Sequence, residues 1–319
     1  LSANHLQKID LALKTIEAAK EAGADAIKLQ TYTPDTITID VRNEYFMIKQ
    51  GTLWDGKYLY DLYKEAYTPW EWHYKLFEFA KELGLISFSS PFDKTAVDFL
   101  EELNTPCYKV ASFEITDIPL IEYIASKGKP VIISTGIATL SDIEEALNAC
   151  KRAGNDQIIL LKCVSEYPTP FEDANLKTIP NMRETFKVPV GLSDHTLGIS
   201  VPIASVALGA VMIEKHFILD RNIGGPDSAF SLEPREFKAM VQAVREVEKA
   251  LGEVSYELTE KQKKSREFAR SLFVVEDMKK GEVFTEKNVK SIRPGYGLHP
   301  KYLKDILGKK AKKDISRGT

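Results

Sequence analysis

The sequence predicts an α/β protein, a (β/α)8 TIM barrel followed by a small C-terminal module. Short apolar, β-rich runs alternate with amphipathic helical stretches over the first 250 residues, the pattern of parallel strands buried on both faces. Seven such runs are visible, and the chain opens on a helical stretch that needs a strand before it, so the count reaches the eight that close a barrel. No GxGxxG follows a first strand, which sets a doubly wound dinucleotide-binding sheet aside. A barrel takes about 250 residues, so a chain of 319 has room for one module more.

Residues 1–5 read as the tail of the first strand, and 7-QKIDLALKTIEAAKEAG-23 as the helix after it. The strand runs are 26-AIKLQT-31, 85-LISFSS-90, 107-CYKVAS-112, 130-PVIIST-135, 158-IILLKC-163, 188-VPVGLS-193 and 211-VMIEKHF-217. Helices are predicted over 70–84, 93–103, 117–128 and 140–154, several opening on Asp or Ser and closing on Gly. A last helix covers 234–251. The barrel is placed at 1–255, a charged linker at 256–268 and a glycine-punctuated module at 269–319.

Composition narrows the class. Hydrophobic residues at 44% and charged ones at 28% describe a soluble globular chain, and no apolar run approaches the roughly 20 residues of a membrane span. Cys107, Cys150 and Cys163 lack CxxC spacing, so neither a disulfide framework nor a thiolate zinc site is expected, and a cytoplasmic location is. From Lys261 onward 17 Lys/Arg face 7 Asp/Glu, although the whole chain carries −3. These lysines form no long run and have no aromatic stacking platform, which argues against nucleic acid. A solvated basic module, or one that contacts an anionic ligand or a partner subunit, fits better.

A parallel barrel does its chemistry at the C-terminal ends of its strands. Those ends carry Lys28 and Gln30, Ser89 and Ser90, Lys109 and Ser112, Ser134 and Thr135, Lys162, Ser193 to His195, and Glu214 with His216. Lysines inside apolar runs are costly to bury unless paired. Lys28 and Lys109 should therefore face a phosphate or carboxylate ligand, or else a structural ion pair. His195 and His216 end adjacent strands, and Glu214 shares a strand face with His216. Two imidazoles with a carboxylate or water suit a divalent metal with open positions; acid/base or structural roles are the alternatives. His5 is placed near the pocket, His73 in a packed or surface helix and His299 in a turn. The residues alone point to a metal-assisted lyase or synthase acting on a phosphorylated or carboxylated small molecule.

The segments 192-LSDHTLG-198, 214-EKHF-217, 167-YPTP-170, 28-KLQTYTPD-35, 88-FSSPF-92, 108-YKVASFE-114, 134-STGIA-138 and 271–300 resemble the sialic-acid synthase family over the whole chain. The resemblance implies a (β/α)8 barrel with a C-terminal antifreeze-like (SAF) domain, acting as a domain-swapped homodimer. It implies condensation of phosphoenolpyruvate with an N-acetylated aminosugar, assisted by Mn2+ or Mg2+. QTYTPD, 53-LWDGKYLYDLY-63 and 227-DSAFSL-232 resemble the branch that makes pseudaminic acid from 2,4-diacetamido-2,4,6-trideoxy-L-altrose, with C–O cleavage and release of phosphate. Ser228 stands where the N-acetylneuraminate and legionaminic acid branches, the alternatives, more often carry His.

Carried over by position, His195 and His216 would hold the metal. Lys28, Ser90, Lys109, Ser112, Ser134, Ser165 and Ser193 would cradle phosphoenolpyruvate, with Ser165 standing where the family tends to have Asn. Glu114, Tyr167, Asp227 and Arg293 would bind the sugar, Arg293 from the module of the partner subunit. Glu214, Lys109 and Glu114 are the catalytic candidates. A keto-deoxy sugar acid synthase and a non-catalytic sugar-binding protein are the competing readings.

Overall fold

The computed structural model describes residues 1–319, which divide into two compact units, Leu1–Gly252 and Glu253–Thr319.

In the first unit seven parallel strands pair in chain order: β1 (Ala26–Thr31), β2 (Ile86–Pro91), β3 (Tyr108–Val110), β4 (Val131–Ser134), β5 (Ile158–Cys163), β6 (Val190–Asp194) and β7 (Ile213–Lys215). Every strand matches one of the seven apolar runs. The sheet is barrel-like, with the seven strands that the apolar runs predict. Leu1–Asn4 occupies the eighth position without forming a ladder. The Leu1 amine donates to the Lys28 carbonyl of β1 (2.9 Å), and Asn4 Nδ2 donates to the Phe217 carbonyl just past β7 (2.9 Å). A cavity of about 320 Å³ opens between the two edges, walled by β1, β7 and the helix Pro234–Leu251.

Helices cross between the strands as parallel pairing requires. Ile9–Glu21, Trp70–Glu82, Lys94–Glu102, Ile118–Ala125, Leu140–Arg152, Thr178–Phe186 and Ser200–Ala207 pack one face against the sheet. Asp93 and Thr139 cap two of them by accepting bonds from backbone amides of the first turn. Between sheet and helices lies the main core, including Ile16, Leu76, Leu100, Ile121, Leu147 and Leu160.

The opposite face of the strands sets the site. Phe88, Ile132 and Leu161 pack together inside the sheet, with Ala26, Cys107, Ile159 and Met212 against them. Strand side chains alternate, so the residue two places after each of these shares its face. Those positions hold Lys28, Ser90, Lys109, Ser134, Cys163 and Glu214. An apolar floor thus carries a polar layer directly above it. Lys162, one place out of phase, falls on the other face of β5 and donates to the Cys163 carbonyl (2.9 Å).

In the second unit the antiparallel pair β8 (Ser271–Val274) and β9 (Val289–Ile292) covers a small core of Leu272, Val274, Met278, Val289 and Ala311. Before it run an exposed segment and the short helix Glu260–Ser265. No helix of the chain is long and apolar enough to cross a membrane.

Candidate active site

Lys28, on β1, forms an ion pair with Glu214 of β7, and Ser193 of β6 donates to the same carboxylate (3.3 Å). Lys109, on β3, is 1% exposed and donates to Ser134 Oγ (2.6 Å) and to the Val110 carbonyl (2.9 Å). Burial pushes its ammonium down to about 8, against the attraction of Glu214. Burial alone would raise the Glu214 carboxyl, but Lys109 and Lys28 more than offset this and hold it far below the ordinary carboxylate range. Two lysines and one carboxylate leave this layer with a surplus positive charge facing the mouth.

A ring of hydroxyls continues it. The amide of Gly136 donates to Ser112 Oγ (3.2 Å), and the Ser165 amide lies against the Gly136 carbonyl (3.4 Å). Ser90 Oγ and Ser165 Oγ are buried without any hydrogen-bond partner, and so are Glu114 Oε2 and Asn4 Oδ1. Buried polar atoms are nearly always satisfied. All four orphans of the chain lie at this end of the barrel, where a polar ligand would satisfy them.

A side chain at Gly136 would crowd the hydroxyl ring. A Cβ would stand 2.1 Å from Ser165 Oγ, 2.7 Å from Ser112 Oγ and 3.0 Å from the Ser165 amide. The two hydroxyls can rotate away, so Gly136→Ala should fold with a thermal midpoint close to that of the native chain. Its affinity for a phosphate or carboxylate ligand should fall by roughly 10-fold or more, as a displaced hydrogen bond to a charged group would give. Titration calorimetry with phosphoenolpyruvate checks this; unchanged affinity would place the anion elsewhere.

The histidines stand beside this layer. His195 Nδ1 donates to the Val164 carbonyl (2.8 Å), and His216 Nδ1 meets Ser2 Oγ (3.2 Å) and Asp227 Oδ2 (3.4 Å). Burial lowers the His216 imidazole, against the pull of Asp227, and so favours the neutral form that binds metal. The rings are 5.4 Å apart and each leaves Nε2 unspent. A ligating histidine ordinarily hands its second nitrogen to a carbonyl or carboxylate, and both do so here. The donor set therefore fits a divalent ion with positions left open. No group of three or more His, Cys, Asp or Glu side chains converges as a closed metal centre.

Behind them Asp194 and Lys215, both almost fully buried, form an ion pair across β6 and β7 immediately before the two histidines. Asp194 was among the strand-end residues of the sequence, whereas Lys215 was not. Glu114 lies in the turn after β3, where burial pushes its carboxyl up to about 7 in spite of nearby Lys109. Tyr167 packs on His195 at 4.2 Å. Phe230 flanks His216 at 5.0 Å, and Trp54, from the long connection after β1, closes on both Tyr167 and Phe230. Trp54 and Phe230 were not among the expected site residues. Thirteen of the positions expected to act lie in the first unit, while Arg293 is an exposed residue of the second. His5 bonds to Thr68 (3.1 Å) and packs on Trp72, and His73 is fully buried against Thr31 (2.9 Å); both are structural. His299 caps a turn by accepting from the Lys301 amide.

Comparison with known proteins decides the family. The NeuB family profile matches residues 15–256 and the SAF domain profile matches 269–319. The chain belongs to the NeuB family. It is 53% identical over 318 residues to the pseudaminic acid synthase of Campylobacter jejuni subsp. jejuni serotype O:23/36 (strain 81-176), covering 100% of this chain and 92% of that one. It is 52% identical to the pseudaminic acid synthase of Helicobacter pylori (strain ATCC 700392 / 26695), covering 100% and 94%. Among solved structures it resembles the N-acetylneuraminic acid synthetase of Leptospira borgpetersenii serovar Hardjo-bovis, with a TM-score of 0.72 and 33% identity over 82% of this chain and 87% of that one. This NeuB-family chain is therefore an enzyme of the transferase type, which removes the non-catalytic sugar-binding reading. The SAF domain likewise argues against a keto-deoxy sugar acid synthase.

Proposed function

We propose that the chain condenses phosphoenolpyruvate with 2,4-diacetamido-2,4,6-trideoxy-L-altrose to give pseudaminic acid and phosphate. What supports this most is the ring of unpartnered buried polar atoms around Lys28 and Lys109, in a chain more than half identical to two named pseudaminic acid synthases.

Lys28, Lys109 and the hydroxyls of Ser90, Ser112, Ser134, Ser165 and Ser193 would hold the phosphate and carboxylate of phosphoenolpyruvate, lysine as point charge and serine as directional donor. His195 and His216 would hold Mn2+ or Mg2+, which when bound supplies Lewis-acid polarisation of the sugar aldehyde. With the enol ether fixed, its C3 attacks the aldehyde carbon and C2 becomes electron-poor. Water adds at C2, and the tetrahedral intermediate expels phosphate with its bridging oxygen. Positioning and charge placement are the main catalytic terms. Glu114, Asp227 and Tyr167 would contact the sugar. Glu214, held ionised by two ammonium groups, is a weak base, and its role is to balance and orient the lysines. Glu114, with a pKa near 7, matches proton transfer better.

We further place the enzyme in the cytoplasm as a homodimer, with Arg293 of one chain contacting an acetamido group in the other's barrel. Arg293 is exposed, and exposed apolar residues rim the barrel mouth at Phe113, Ile137, Leu140, Phe171 and Leu197, which suits a cover.

Release of phosphate from phosphoenolpyruvate, with the diacetamido sugar and Mn2+ present, tests the reading. No release with any aminosugar overturns it; release with N-acetylmannosamine but not the diacetamido sugar overturns the substrate.

Glu114 also gives a pH signature. Its folded pKa lies above the ordinary carboxyl value of 4.5, so its contribution to stability is complete below about pH 4.5 and is lost as pH rises through 7. Glu114→Gln, which cannot ionise, should lack that loss. Its stability relative to the native chain should rise by on the order of 2–3 kcal/mol between pH 5 and 8. It should also lose the kcat/KM limb near pH 7. Thermal scans and rate profiles across that range check both, and parallel curves would show that Glu114 does not titrate there.

A further inference from the structure

We infer that Trp54, backed by Tyr167 and the buried Phe230, forms an apolar wall that selects a sugar bearing a methyl group in place of a hydroxymethyl. This rests on the proposed reaction and names the residue that makes it choosy. The three rings pack on one another: Trp54 on Tyr167 at 5.7 Å, Trp54 edge-on to Phe230 at 6.5 Å, and Tyr167 on Phe230 at 5.1 Å. Tyr167 and Phe230 in turn lie against His195 and His216. Tyr167 thus lies beside the two histidines, where the proposed reaction puts C1 of the sugar, and Trp54, which stands on Tyr167 and not on either histidine, lies one ring further out, toward the C6 end.

Trp54 is held there by a built turn. The Asp55 carboxylate accepts from the amides of Gly51 and Thr52 (both 2.9 Å) and from Thr52 Oγ1 (3.0 Å). The stem of this turn is closed by backbone bonds between Ile48 and Lys57 and between Gly56 and Ile48 (both 2.9 Å) and by the bridge Met47–Tyr58. The indole N–H donates to the Pro226 carbonyl (3.1 Å), next to Asp227. That bond uses the only donor of Trp54, so the ring offers a ligand only its hydrocarbon surface. A methyl group gains from contact with such a surface, whereas a hydroxyl loses water and finds no partner.

The experiment compares kcat/KM for the 2,4-diacetamido-2,4,6-trideoxy sugar and its 6-hydroxy analogue in the native chain, Trp54→Ala and Trp54→Phe. Trp54→Ala should lower kcat/KM for the deoxy sugar by about 30-fold and for the hydroxylated one by less than about 3-fold, within the range that one apolar group contributes to selectivity. Calorimetric affinity for phosphoenolpyruvate should not change. Trp54→Phe, which keeps an aromatic face but cannot bond Pro226, should retain most of the preference. Equal losses on both sugars, no loss on either, or a Phe variant as unselective as Ala would each overturn the wall. If the native chain prefers some other aminosugar, the proposed substrate fails by itself, and the same ratio is read on that sugar and its 6-deoxy form.

Discussion

His216→Ala should lose metal-dependent turnover by about 10³-fold or more, since Lewis-acid activation is worth several kcal/mol. The same variant should show no measurable Mn2+ binding by calorimetry, because a single imidazole cannot replace a pair. Removing the ring also strips the buried Asp227 carboxylate of one partner, leaving it with Ser2 Oγ and the Ala3 amide. That should cost about 1–3 kcal/mol of stability. His216→Asn separates the two effects. Its amide can reach Asp227 as Nδ1 does but supplies no imidazole nitrogen at the Nε2 position, so it should fold normally and still fail to bind metal. Native Mn2+ affinity in either variant would refute the metal assignment.

Lys109→Met should produce the other large loss, and a different one. The affinity for phosphoenolpyruvate should fall by roughly 10²-fold, the worth of about 3 kcal/mol for a buried ammonium bonded to an anion. Metal binding should persist, since Lys109 bonds to Ser134 and the Val110 carbonyl and not to either histidine. The fold should survive because a methionine fits the same slot without the cost of a desolvated charge. Calorimetry with phosphoenolpyruvate and with Mn2+ on the same sample reads both. Native phosphoenolpyruvate affinity would show that the anion does not use this lysine.

Why some of this was legible in the sequence follows from strand alternation. Phe88 predicts the face of Ser90, Ile132 that of Ser134 and Met212 those of Glu214 and His216, because two residues along a strand return to one side. The same rule shows why Lys162 ends an apolar run yet misses the site. Glu114, Tyr167 and Asp227 lie in the connections after β3, β5 and β7, where no period places a side chain; only the family motifs pointed to them. Trp54 was least legible. Its position depends on a contact 172 residues away at Pro226, and its segment reads locally as a polar turn. The Asp194–Lys215 pair is hidden for a similar reason, since a charge inside a strand gives no sign of its partner on the next one. Of the remaining strand only a tail at residues 1–5 was expected, and Leu1–Asn4 lies there, bonded to Lys28 and Phe217.

The most direct test follows the bridging oxygen of phosphoenolpyruvate. With that oxygen labelled as 18O, the diacetamido sugar and Mn2+, the native chain should release labelled phosphate and one equivalent of an unlabelled nine-carbon acid. Label retained in the acid, or phosphate released without a nine-carbon product, would contradict the account.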